Sequence, residues 1–406
     1  MKELLKSIYP FIYLFFCFVI PLNKFAPAVP NISLILLLAI FSFIVTKRDL
    51  KKILKKEFVI FLILVFYILI NSLLFQDFTK DLPILLKIGS SLVLLILFIP
   101  IKFTQNLHKT IIIAVLYSII ISLYNLYWFY MEEGTFNFSV GSYIDEVLII
   151  DRFYIGILCV LSIVASIGLI GKKYNVFNKW YFANIVLCVG FIFIISTRFA
   201  LVLLVFLFLL NGFYTKSKKE YLLFFFGVII IIIGAFSINK NLNKRFFYSF
   251  NEFNKNQTFV ELFKNWETRV VIWKCNYSII KNEDYLLKGN GFYGTKDLLA
   301  NCYESTIDNT EKQNYFLEQR FNSHNQFVDF LISTGILGVA LFILFFIALI
   351  LKYKKSYFKT SLIFITLFLS ITENIFHRQL GAYIFTMILL MILFPLNSDN
   401  TINEKN

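Results

Sequence analysis

Charged residues are scarce in this chain. Asp, Glu, Lys and Arg make up 16% of its 406 residues, against about a quarter in a soluble domain. That shortage excludes one water-soluble core under a charged shell, because 58% of the residues are hydrophobic and no single core buries so many. Histidine is rarer still, with three in the chain, and cysteine stops at five. No cluster of His, Cys and carboxylates stands at metal-ligand spacing, so neither a metal site nor a cofactor is expected. A GxSxG elbow, a Walker loop, an internal repeat and a low-complexity tract are also missing.

The chain has apolar length instead. Its hydrophobic residues gather in blocks of roughly 16 to 22, enough to cross a ~30 Å hydrocarbon core at 1.5 Å per residue. Spans are expected near residues 8–22, 31–46, 57–75, 82–101, 109–131, 153–171, 180–197, 198–214, 220–238, 324–351, 357–375 and 381–396. A β-barrel would need alternating ten-residue segments, so the spans are helices that satisfy their own backbone. The expected fold is an all-α polytopic membrane protein of about twelve transmembrane helices. The first block follows Lys2 and Lys6 but precedes no small-residue cleavage site, and it reads as a span rather than a signal peptide.

The net charge of +14 does not point to nucleic acid. The basic residues form short clusters between apolar blocks, with no extended basic face. Placing the N-terminus in the cytoplasm puts Lys47, Arg48, Lys51, Lys52, Lys55 and Lys56 on the inner side. The same side receives Lys172, Lys173, Lys179, Lys216, Lys218, Lys219, Lys352, Lys354, Lys355 and Lys359. Only Lys24, Lys80, Arg152, Arg198 and Arg378 fall in short outer loops. This asymmetry predicts an inner-membrane protein with both termini cytoplasmic. Residues 1–238 then hold helices one to nine, and 324–396 hold helices ten to twelve. Between them, residues 239–323 form a large extracytoplasmic, periplasmic loop with amphipathic helices; a connection this long predicts a folded cap. Residues 397–406 are a polar cytoplasmic tail.

Cys17, Cys159 and Cys188 fall in spans, where they serve as small packing residues. Cys275 and Cys302 share the outer loop. A disulfide between them stays open, since sequence does not set their separation.

Several motifs could carry chemistry. Ser196-Thr197-Arg198 interrupts an apolar run from about 181 to 214 and marks the outer turn of a tight helical hairpin. Its arginine either snorkels to the interface or aims a planar fork at a phosphate. Glu267-Thr268-Arg269 opens a segment of helical periodicity, and Arg269 either faces solvent or meets a ligand. Gly289-Asn290-Gly291-Phe292-Tyr293-Gly294 matches GxGxxG by letter. Without a βαβ unit around it, however, it reads as a glycine turn after a helix. His324-Asn325, followed after nine intervening residues by Gly335 and then by Gly338, stands where the outer loop enters a span. An imidazole there suits either a structural role or a base that takes a proton from a sugar hydroxyl; the glycines allow close helix packing. Glu373, His377 and Arg378 occupy the last outer turn. They supply either a structural Glu373–Arg378 pair or a further anion contact.

The order of "STRFALVLLVF", "ETRVVIWKCNYSIIKNEDYLLKGNGFYG", "SHNQFVDFLISTGILG" and "ENIFHRQLG" resembles the O-antigen ligase and polymerase superfamily of bacterial envelope glycosyltransferases. The resemblance covers roughly residues 140–390, and the His-Asn-nine-Gly pattern is characteristic of the ligases. It implies a GT-C-like, metal-independent, inverting enzyme that takes a glycan from undecaprenyl diphosphate at the outer face of the inner membrane. The acceptor would be lipid A-core, or another carrier-linked glycan in a polymerase. By this resemblance Arg198 and Arg269 match diphosphate-binding arginines, and His324 matches the essential histidine with Asn325 its neighbour. Arg152 matches an outer-loop arginine more weakly, while Glu373 and Arg378 lie in the closing motif. A flippase or other transporter would place charges deep within spans and show repeat symmetry; Lys87 is the one plausible mid-span charge.

Overall fold

The computed structural model describes residues 2–22, 24–51, 55–102, 104–134, 145–171, 175–215, 268–281 and 286–394. The predicted span at 220–238, the lysines at 216, 218 and 219, the first part of the outer loop and the tail lie outside the described residues. Among the described residues there is no β-strand. The helices are α1 (Lys2–Val19), α2 (Ala28–Ile44), α3 (Lys56–Phe75), α4 (Phe78–Leu97), α5 (Thr104–Glu133), α6 (Arg152–Leu169), α7 (Asn178–Ile195) and α8 (Arg198–Tyr214). After them come α9 (Thr268–Lys281), α10 (Gly291–Thr306), α11 (Thr310–Gln319), α12 (Gln326–Tyr353), α13 (Tyr357–Thr372) and α14 (Gln379–Leu393). Each predicted span other than 220–238 falls on one of these helices. By length and composition α1, α3, α5, α6, α7 and α12 can each cross a membrane; α2, α8, α13 and α14 are shorter and apolar. The chain is an all-α polytopic membrane protein.

Side-chain oxygens set several helix starts. Asp77 accepts from Lys80 N, Asn309 from Lys312 N, Asn325 from Phe327 N and Val328 N, and Ser356 from Lys359 N, so each supplies a partner to otherwise orphaned donors. Between α7 and α8 the turn is as tight as the sequence implied. Ser196 closes α7 in the left-handed region at φ 52° and Arg198 already opens α8.

The centre of the bundle is α6 and α14. Nearly every residue of α6 up to Ser166 is buried, and so is every residue of α14 from Gly381 to Leu393. Polar side chains act as glue there, with Asn184 Nδ2 donating to Ser162 Oγ at 2.9 Å and Ser166 Oγ at 2.8 Å. One end of the bundle collects Lys352 against Glu57 at 2.8 Å, Lys55 against Leu393 O, and Tyr214 against Lys354 O. The starts of α6, α8, α12 and α14 lie at the other end.

A cap of α9, α10 and α11 sits on that second end. Its own small core joins Ile272, Leu299, Tyr303 and Phe316 to Ile332 of α12. Cys275 and Cys302 form a disulfide that ties α9 to α10.

The structure corrects the expectation of one continuous helix over 324–351. At Gly335 (φ 78°, ψ −177°) α12 breaks into two halves. Backbone freed by the break is taken up by the glycine turn before α10: Ile336 N donates to Leu286 O at 2.7 Å and Asn290 N to Ile332 O at 2.8 Å. Tyr67 on α3 adds a bond to Thr334 O at 2.8 Å. Irregular backbone at this depth survives because protein surrounds it. Gly335 therefore serves a break rather than close packing along a straight helix, whereas Gly338 does face Tyr67, 3.3 Å from where a Cβ would stand.

The break explains a mismatch in length. The 28 residues of α12 would rise about 42 Å and the 16 of α13 about 24 Å. Both leave the same turn, yet their far ends meet. Residues 336–353 account for about 27 Å of rise, close to α13, so residues 326–334 turn aside and run across the end of the bundle. That half-helix carries His324 to the centre.

Gly335→Ala places a Cβ 2.3 Å from Leu287 O at positive φ. It is expected to cost ~2 kcal/mol or more and to lower the thermal unfolding midpoint in detergent. Gly89→Ala, with nothing within 4 Å, should leave the midpoint almost unchanged. Equal midpoints for the two variants would contradict this account of the break.

Candidate functional site

Three arginines stand on the first turns of three helices: Arg152 on α6, Arg198 on α8 and Arg269 on α9. Helix starts carry unpaired N–H groups and a positive dipole end, so a cation there is disfavoured unless an anion is shared. The first turns of α6 and α8 nearly touch. A Cβ on Gly156 would lie 3.0 Å from Thr197 Oγ1 and 3.1 Å from Ala200 Cβ, and the rings of Phe153 and Phe199 are 4.9 Å apart. Arg152 and Arg198 are thereby brought within electrostatic reach of one another. The Arg269 guanidinium lies 5.7 Å over the Phe153 ring, which joins the cap to the same place.

Glu373 links the arginines to the histidine. Its Oε2 is 3.8 Å from Arg269 Nη2 and 3.3 Å from His324 Nδ1. The carboxylate side chain is 8% exposed, the imidazole 18% and the guanidinium 33%, so the acid is enclosed while its partners stay open to a ligand. Burial alone would raise the Glu373 pKa. His324, Arg269 and Arg378 outweigh it and hold the carboxyl below its ordinary value of 4.5. Arg378 pairs directly with Asp151 and covers the Tyr154 ring at 5.8 Å. The sequence left a Glu373–Arg378 pair open. In the structure Glu373 contacts Arg269 and His324, and Arg378 reaches it only through its charge.

His324 is held by backbone strain and by a buried network. Its φ is 46°, uncommon for a residue with a Cβ. On one side Ser323 O accepts from Asn276 Nδ2 at 2.9 Å. On the other, Asn325 N donates to Asn374 Oδ1 at 2.7 Å. One turn into α12, Asp329 lies 2.9 Å from His377 Nε2, and both side chains are at most 4% exposed. Gln326 Oε1 accepts from Phe376 N at 3.2 Å. These bonds lock the start of α12 to the turn of residues 373–378, and with it His324 to Glu373. Asn325 acts here through its cap and its backbone.

Arg152, Arg198, Arg269, His324, Asn325, Glu373 and Arg378 thus stand at one end of the bundle, while Glu267 lies outside the described residues. Asp151, Ser323, Asp329 and Asn374 complete the site and were not singled out, although Asp151 precedes Arg152 and Asn374 follows Glu373. No group of three or more His, Cys, Asp or Glu residues that could hold a metal ion occurs among the described residues. A cavity of about 600 Å³ lined by Lys6, Tyr9, Arg48 and Lys102 lies at the opposite end and shares none of these residues.

Arginines at helix starts gather around an imidazole–carboxylate pair in a multi-pass membrane protein, and together they form the candidate site. A family model described as O-antigen ligase matches residues 183–343, which include Arg198, Arg269, His324 and Asn325. The match supports membership of the O-antigen ligase/polymerase superfamily, with a glycosyltransferase-like function of ligase or polymerase type. No curated protein matches the chain.

Because the folded pKa of Glu373 is depressed, its pairing adds stability in full above pH 4.5. That stability is lost as pH falls through the lowered folded value. Glu373→Gln should therefore lower the thermal midpoint at neutral pH, and its deficit against the parent chain should shrink on acidification below pH 4.5. A deficit that is constant with pH would show that the carboxylate charge is not what matters.

Proposed function

We propose that this protein transfers a glycan from undecaprenyl diphosphate to lipid A-core at the outer face of the inner membrane. The single observation that carries this reading is the meeting of Arg269 and His324 on one buried carboxylate, Glu373, beside the arginine-bearing starts of α6 and α8.

The geometry supports the following roles. His324 Nδ1 lies 3.3 Å from Glu373 Oε2; in this reading Nδ1 carries the proton and Nε2 accepts one. An acceptor hydroxyl gives its proton to Nε2 as its oxygen attacks the anomeric carbon. The bond from that carbon to the diphosphate oxygen breaks on the opposite face, with inversion, and its electron pair leaves with the carrier diphosphate. Charge then builds on the leaving group. Arg198, Arg269 and Arg152 are placed to share it through charge-assisted contacts, assisted by helix starts that also favour anions. Arg378, held by Asp151, adds positive potential beside them. In this reading the guanidinium groups supply the charge that a metal ion provides in other transferases, and no cofactor takes part.

The side of the membrane is assigned by charge. Lys47, Arg48, Lys51, Lys55, Lys352, Lys354, Lys355 and Lys359 cluster away from the site, which suits a cytoplasmic inner end with both termini there. A disulfide in the cap suits an oxidising exterior. A polymerase of the same superfamily would use the same donor chemistry and pass the glycan to a second carrier-linked repeat.

His324→Ala and Arg198→Ala are each expected to leave a folded membrane protein while abolishing glycan-modified lipopolysaccharide, read on gels of whole-cell lipopolysaccharide. Normal product from both variants would overturn the proposal. In a deletion strain, loss of all long glycan on lipid A-core supports ligation, and a single attached repeat points to polymerisation instead.

A further inference from the structure

Lys87 is a cation within an otherwise apolar part of α4, about 13 Å from the helix start at Phe78. Such a charge is costly unless something answers it. Its ammonium donates to His377 O at 2.8 Å, a neutral carbonyl in the 373–378 turn. One turn further along α4, Ser91 reaches Ala382 O at 3.3 Å. The turn therefore sits well below the outer end of α4.

A second cation lies nearby. The start of α10 is seated on α4, where Tyr293 N donates to Asp81 Oδ1 at 2.8 Å. One turn into α10 is half-buried Lys296, which follows the face of Phe292, and the Phe292 ring is 6.0 Å from the His377 ring. Lys296 stands close enough to repel Lys87. Among the described residues the nearby carboxylates have other partners. Asp81 holds Tyr293 N and Ser72, Asp77 holds Lys80, Asp297 holds Arg320, and Asp329 holds His377. Among the described residues neither Lys87 nor Lys296 forms an ion pair. An ammonium within a span that is answered by a neutral carbonyl, with a second lysine close by, suits an anion.

We propose that Lys87 and Lys296 form an anion subsite that binds the acidic group of the acceptor glycolipid. This rests on the glycosyl-transfer reading above and names the chemistry of its second substrate. The 373–378 turn lies between two cationic sets. Arginines of α6, α8 and α9 serve the donor diphosphate on Glu373 and Arg378, and lysines of α4 and α10 serve the acceptor on the carbonyl of His377. Lysine suits a hydrated phosphate or carboxylate that need not be gripped in one geometry. Lipid A-core carries phosphates, so the subsite fits the acceptor of the ligase reading.

The test is binding of lipid A-core, with and without its phosphates removed, to the purified full chain in neutral detergent. Lys87→Gln, which keeps a donor for His377 O, and Lys296→Gln should each weaken binding of the phosphorylated form about tenfold. Removing the phosphates should weaken binding to the parent chain by a similar factor, and the variants should lose nothing more. Carrier-linked glycan should bind all these proteins equally, with Arg198→Ala weakening it alone. Unchanged acceptor binding in both lysine variants overturns the proposal. So does equal binding of phosphorylated and dephosphorylated acceptor. Competition by phosphatidylglycerol at matched concentration overturns it as well, since the lysines would then hold a bulk lipid headgroup. Weakened binding in the lysine variants beside normal transfer by His324→Ala would sink the transfer chemistry and leave the subsite standing.

Discussion

A buried carboxylate with two partners from distant parts of the chain organises this protein. Glu373 follows the end of α13, His324 precedes α12 and Arg269 opens α9, and all three meet on or beside one oxygen. Burying a carboxylate is unfavourable unless it is paired and hydrogen-bonded. Keeping Glu373 ionised therefore requires the cap, the α12 start and the α13–α14 turn to hold their relative places. The same contact orients an imidazole and sets a guanidinium at the mouth of the site. Stability and chemistry are coupled through that one group.

The broken helix is the second constraint. A straight α12 would carry His324 far beyond the end of α13, and the glycine at 335 removes that excess by turning the first half aside. Its cost is an interrupted hydrogen-bond ladder. Leu286, Asn290 and Tyr67 answer the freed groups, which joins the glycine turn, α3 and α12 into one construction. The cap then closes over it, with Ile332 of the half-helix inside the cap's own core. The helix that bears the histidine is thus packed by the bundle below and by the cap above.

Much of the fold could be read from hydropathy, since the length of an apolar block is a local property and the bilayer demands helices of that length. The tight turn at Ser196-Thr197 was legible for the same reason, as were the glycine turn before α10 and helical periodicity at α9. Arg198, Arg269 and His324 stood out because charge and imidazole are conspicuous against apolar surroundings. Partners were harder. Glu373 and Arg378, neighbours in sequence, divide between different partners, because the turn that holds them points one toward His324 and the other toward Asp151.

Composition and span length thus determined that the chain is a helical membrane protein with arginines and a histidine near helix ends. Tertiary structure alone decided that Cys275 meets Cys302, that α12 breaks at Gly335, that Lys87 reaches the carbonyl of His377, and that the arginines and His324 gather at one end. The physical reason is range. Helix formation and membrane insertion depend on residues within a few turns, whereas ion pairs, disulfides and the accommodation of a broken helix depend on groups that only packing brings within a few ångströms.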